Sequence, residues 1–170
     1  MANTYTLIAS STVGSGGAAY VEFTSIPATY TDLLVRLSLR SDQAEYYASS
    51  TISLNGSTAN FTHKFVYGEG ASAASFGGST NLSADQNGDT TTANTFSNAD
   101  FYIPNYLSSN YKSISQDSVT ENNATSALAE LGALLWSNTA AITSVRVSAR
   151  SDGKLWKQHS TAYLYGISNS

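Results

Sequence analysis

The chain has 170 residues, a formal net charge of −4 and only 12% charged side chains, about half the share usual in globular domains. The eight basic residues are scattered, so there is no basic stripe of the kind that tracks nucleic acid. Without cysteine there is no disulfide, thiol nucleophile or cysteine-bound metal.

Serine and threonine supply more than a quarter of the sequence. With 11% aromatics and regular apolar alternation, this is the composition of a β-rich protein whose outward positions carry hydroxyls rather than of a disordered chain. The length favours one domain, 1–170, with a self-sufficient core. The N-terminus has no charged n-region or long apolar stretch, so no signal peptide is expected. No apolar run approaches the length of a membrane-spanning helix.

In chain order, Thr4–Ser10 and Ala19–Thr24 read as strands, with a Gly/Ser turn between them. After Ile26-Pro27 comes the clearest strand, Asp32–Arg40. Leu33, Val35, Leu37 and Leu39 share one face and Leu34, Arg36, Ser38 and Arg40 the other, the period-2 pattern of a half-buried strand. Thr51–Asn55 ends in Asn55-Gly56, a dipeptide suited to a tight hairpin, with Phe61–Tyr67 as the expected returning strand. A Gly/Ser/Ala-rich stretch of about 68–94 then reads as a long projecting loop.

Strands resume at Thr95–Ile103 and Tyr111–Thr120. The stretch Ala124–Trp136 fits two patterns. As a helix it groups Leu128, Leu131, Leu134 and Leu135; as a strand it groups Ala129, Leu131, Ala133 and Leu135. The strand is preferred because its neighbours are strands and Gly132 weakens a helix. Ile142–Arg150, Lys154–His159 and Ser160–Ile167 complete the chain. About nine or ten strands separated by turns predict an all-β, antiparallel two-sheet sandwich, jelly-roll-like.

No catalytic motif stands out. His63 and His159 are read as structural or exposed. Carboxylate pairs such as Glu22 with Glu130 or Asp100 with Asp117 are not selected by any spacing. Asp85-Gln-Asn-Gly-Asp89 begins like a calcium loop, but Thr90 stands where the loop glycine belongs and no glutamate closes it. No cofactor or metal is expected, and the chain reads as non-enzymatic.

Two features suggest contact surfaces. Tyrosines near turns and strand ends, among them Tyr46, Tyr47, Tyr102, Tyr106 and Tyr111, suit contacts with sugars or proteins. Val35-Arg-Leu-Ser-Leu-Arg-Ser-Asp42 is echoed by Val145-Arg-Val-Ser-Ala-Arg-Ser-Asp152 at six of eight positions. Its arginines, Arg36 and Arg40 with Arg146 and Arg150, are the candidate protein interface, because the guanidinium fork pairs bidentately with carboxylates. The echo itself suggests strands in equivalent places of the two sheets.

The stretches Tyr5–Ser10, Ile26–Leu33, Leu54-Asn-Gly-Ser57, Ala141–Val145 and above all Thr161-Ala-Tyr-Leu-Tyr-Gly-Ile167 resemble small Ser/Thr-rich virion structural proteins of tailed bacteriophages, especially those of marine bacteria and cyanobacteria. The resemblance implies a β-sandwich that assembles on a particle in the host cytoplasm and carries no functional residues across. It implies a capsid decoration (cement) protein, often a homotrimer, bracing the major capsid protein of the assembled shell. The alternative it implies is a tail or head fibre component touching host-surface glycans. The short length and absence of a fibrous repeat favour decoration. Neither nucleic acid nor membrane insertion is expected.

Overall fold

The computed structural model describes residues 4–79, 83–122, 126–149 and 153–168. Twelve strands run in chain order: β1 (Tyr5–Thr12), β2 (Tyr20–Phe23), β3 (Asp32–Ser38), β4 (Tyr47–Leu54), β5 (Phe61–Glu69), β6 (Ser72–Gly78), β7 (Asp85–Asn87), β8 (Asn98–Ile103), β9 (Lys112–Thr120), β10 (Leu128–Trp136), β11 (Val145–Ala149) and β12 (Thr161–Ile167). An eight-stranded sheet has the order β1-β12-β3-β8-β9-β10-β5-β6, and a four-stranded sheet the order β2-β11-β4-β7. Every strand pair is antiparallel. The all-β sandwich expected from the alternation is therefore the fold.

The inward side chains of both sheets form one core. Leu33, Val35 and Leu37 of β3 are fully buried, as are Val145 and Val147 of β11, with Phe61, Phe65, Phe101, Trp136 and Trp156 filling the space between. The Arg-Ser echo thus marks two strands in different sheets with the same inward and outward alternation. Each of them sets an arginine opposite a carboxylate in register, Arg36 facing Asp100 and Arg146 facing Glu22.

The strands cross between sheets in a regular way. β1, β3, β8 and β12 lie in the larger sheet, and β2, β4, β7 and β11 in the smaller. The remaining four, β9, β10, β5 and β6, extend the larger sheet beyond β8. The smaller sheet has no matching strands, so β5 and β6 overhang its β7 edge.

Several expectations are corrected. The stretch 68–94 is not one long loop. β5 runs on to Glu69, turns at Gly70 with φ of 56° and returns as β6, and β7 lies further on. Pairing with the backbone of β5 forms β6, whose small residues carry little strand propensity of their own. Asn55 and Gly56 do adopt the paired positive φ of 52° and 73°, but the turn does not close a hairpin between neighbours. β5 pairs with β10 and β6, in the other sheet from β4. Lys154–His159 forms no strand: Trp156 makes single bridges to Ala18 and Ser41, and His159 sits at a positive φ of 73°. The ambiguous stretch resolves as strand β10, held between β9 and β5.

Candidate functional site

The candidate catalytic groups are dispersed. His63 points inward from β5, its ring 4.9 Å from that of Phe65, while His159 lies in the turn before β12. Glu22 is held by Arg146 at 3.1 Å, in the opposite sheet from Glu130. Asp100 and Asp117 are opposite each other on β8 and β9, but Asp100 is gripped by Arg36. Asp89, the end of the calcium-like run, binds Lys157 at 2.5 Å and Arg40 at 3.6 Å. No group of three or more metal-ligating residues occurs among the described residues.

The four arginines of the expected interface do not share a surface. Arg36 lies on the outer face of the larger sheet, its guanidinium donating to Asp100 at 2.9 and 2.5 Å. Arg146 lies on the outer face of the smaller sheet, donating twice to Glu22 at 3.1 Å with its guanidinium 4.2 Å from the Tyr20 ring centre. Both guanidinium groups are held more firmly protonated by these carboxylates. Arg40 is only 5% exposed and is spent on the fold. It donates to Thr91 Oγ1, to the carbonyls of Thr92 and Thr95 and to those of Asp89 and Thr91. Arg150 lies outside the described residues.

Two other features rise above the background. The first is the outer face of the larger sheet, which no layer covers among the described residues. One register row crosses it as Tyr163, Arg36, Asp100, Asp117, Leu131, Val66 and Ser75. A neighbouring row holds Asn98, Val119, Ala129, Gly68 and Ala73. On the β9-β10-β5 half these rows are apolar apart from Asp117 of β9, which faces Leu131. Leu131 is 62% exposed, Val66 52% and Val119 46%, around a shallow depression of about 830 Å³. Alternation on β10 puts Leu128, Leu134 and Trp136 into the core and leaves Leu131 outward with the opposite set.

The second is a cleft of about 280 Å³ where the overhanging strands meet the edge of the smaller sheet. Tyr67 and Glu69 of β5, Phe76 of β6 and Glu130 of β10 line one side, and Tyr47 and Ser49 of β4 with Asp85 of β7 line the other. Each carboxylate accepts a hydrogen bond from a hydroxyl of the fold: Glu69 from Tyr46, Asp85 from Ser49 at 2.7 Å and Glu130 from Ser118 at 2.9 Å. Burial, followed by the Glu69 contact, pushes the Tyr46 hydroxyl up.

Glu130 is 4% exposed. Burial first, and then the negative charge of Asp85, raise its carboxyl from 4.5 to about 7. An unfolded chain releases that proton near 4.5, so the contribution to stability is fully present below this pH and is lost as pH rises through about 7. Urea unfolding should therefore show the native protein losing on the order of 3 kcal/mol, at most, between pH 4.5 and 8 relative to Glu130→Gln. Parallel pH profiles for the two proteins would contradict this assignment.

Sequence reasoning missed the cleft. Its β5 side was legible only as far as Phe65 and Tyr67; Glu69, Phe76 and Asp85 lay in the stretch read as loop. The pairing of β5 with β10, which brings Glu130 to Tyr67, has no local signal.

No protein-family model matches the chain, and neither a curated protein nor a solved structure matches it.

Proposed function

We propose that the protein is a non-enzymatic structural component of a tailed-bacteriophage virion, a capsid decoration protein that braces the assembled shell. The observation that carries this reading is the strand order. We read β1-β12-β3-β8 against β2-β11-β4-β7 as the pairing of two interleaved Greek keys, the jelly roll used by viral capsid and lectin domains. The added strands β9, β10, β5 and β6 widen one sheet into a platform. Its outer face carries Leu131, Val66 and Val119 among small side chains, with Asp117 as the charged group in their rows. A largely apolar face is suited to lying against a neighbouring shell protein, and binding only the assembled shell stabilises it by mass action.

The test is copy number per particle, by quantitative mass spectrometry of purified virions against the major capsid protein. A one-to-one ratio, or a simple fraction of it, is expected. A few tens of copies or fewer would move the protein to a tail, fibre or vertex and overturn decoration. Leu131→Glu places a charge on the platform at little cost to the fold, because the side chain is largely in water. It should reduce binding of the purified protein to undecorated shells by at least about tenfold, as burial of an unpaired carboxylate predicts. Equal binding by the variant would exclude this face as the shell contact. A homotrimer is the expected assembly state by light scattering.

A further inference from the structure

We infer that the cleft between the overhanging strands and the smaller sheet binds an organic ammonium group. The inference is independent of the shell-binding role, because the cleft is lined by Tyr67, Phe76 and Glu130, which alternate along their strands with the outward platform residues Val66, Ser75 and Leu131.

Three properties of the cleft select this chemistry. Its walls are aromatic. Tyr67 and Phe76 meet edge to face, with centroids 5.8 Å apart and planes at 67°, and so form a corner. Tyr47 supplies a ring from the opposite sheet, itself set edge to face against Tyr46 at 4.9 Å. Rings on two sides of a small space bind alkylated cations through their negative faces. Its charge has one sign. Glu69, Asp85 and Glu130 line it, and no lysine, arginine or histidine is among the described residues that do. Its acceptors outnumber its donors. Against three carboxylates stand the hydroxyls of Tyr47, Ser49, Tyr67 and Ser83, of which Ser49 already donates to Asp85, while Tyr46 and Ser118, behind the wall, donate to Glu69 and Glu130.

A neutral sugar needs donors as well as acceptors from its site, and acceptors dominate here. A bare metal ion needs several converging ligands, and no such group occurs among the described residues. A cation with an alkyl surface satisfies both the rings and the carboxylates. The volume, about 280 Å³, lies just under the range of sites for drug-sized ligands and suits a headgroup or one side chain rather than a large molecule.

The probe is choline chloride, titrated into the full chain and followed by NMR. Its uncharged carbon isostere, 3,3-dimethylbutan-1-ol, and glucose serve as controls. Choline should shift resonances of Tyr47, Tyr67, Phe76 and Glu69 and saturate in the millimolar range or below. The isostere should bind about tenfold more weakly. Phe76→Ala removes a partly exposed ring, and Glu69→Gln keeps shape while removing charge. Each should weaken choline binding by roughly threefold to tenfold, with melting temperatures recorded to establish that both variants fold.

Affinity for choline should also rise between pH 6 and pH 8 as Glu130, facing Asp85 on β7, Glu69 on β5 and the Ser118 and Gln116 side chains on β9, gives up its proton. Equal binding of choline and the isostere, preference for glucose, shifts that map away from these residues, or no saturation at about 50 mM choline would each overturn the proposal. So would unchanged affinity in a folded Glu69→Gln protein.

Discussion

Arg40→Ala should cost about 3 to 5 kcal/mol of folding stability, the loss of several hydrogen bonds made by one buried charged group. The guanidinium reaches from the end of β3 into the 88–95 segment and satisfies four backbone carbonyls there, those of Asp89, Thr91, Thr92 and Thr95, together with the Thr91 hydroxyl. Removing it leaves the buried Thr91 carbonyl and hydroxyl without this donor, and each stranded group carries its own desolvation cost, while the partly buried carbonyls of Asp89, Thr92 and Thr95 lose charge-assisted bonds. Arg40→Lys should recover only a small part of the loss. An ammonium is a point charge and does not reproduce a planar fork that bonds five acceptors. Urea denaturation measures both variants. A loss below about 1 kcal/mol for Arg40→Ala, typical of an exposed ion pair, would show that the residue is a surface group after all. Asp89→Asn should be much milder, because Arg40 keeps its carbonyl partners and Lys157 is exposed.

Trp156→Ala should be of similar size, about 3 to 5 kcal/mol. Trp156 is fully buried although it belongs to no strand. Its backbone exchanges hydrogen bonds with Ala18 at 2.7 and 3.0 Å, it bridges Ser41, and its indole donates to the Val147 carbonyl at 3.2 Å. One residue therefore ties the entry to β2 and the exit from β3 through its backbone and the centre of β11 through its indole. Truncation leaves a cavity at the junction of both sheets, where the surroundings have little freedom to collapse. Trp156→Phe keeps most of the packing and loses the indole bond, so about 1 to 2 kcal/mol is expected. If Trp156→Ala unfolded at nearly the native midpoint, this residue would not be the clamp that its contacts describe.

Alternation made the sheet faces legible where one side is core and the other is water. β3, β9 and β12 follow that rule, and the inward set of β3 was readable residue by residue. What could not be read was pairing. Asn55-Gly56 encodes a turn and forms one, yet the choice of partner for β5 depends on residues some sixty positions on. β6 shows the same limit from the other side: Ser72–Gly78 is a strand because β5 offers it a backbone, not because of its own side chains. The arginines illustrate it again. Period 2 places Arg36 and Arg40 on one side of an ideal strand, but β3 ends at Ser38, and beyond it the chain turns Arg40 into the 88–95 segment. Arg36 and Arg146 were correctly outward, but on opposite outer surfaces. The cleft was invisible for the same reason: it exists only where β10, β5 and β7 have already met.

The place of β12 between β1 and β3 has a kinetic consequence. Of the twelve strands, it is the last that a ribosome releases, and both of its partners are among the first three. The larger sheet therefore stays open along the facing edges of β1 and β3 until β12 has been made. Closing it requires a loop of more than a hundred residues, and non-local β pairings of this kind fold on the millisecond-to-second scale. In a refolding experiment, protection of the β1 and β3 amides from hydrogen exchange should appear late and together. The β5-β6 and β9-β10 hairpins, whose partners are adjacent in sequence, should be protected earlier.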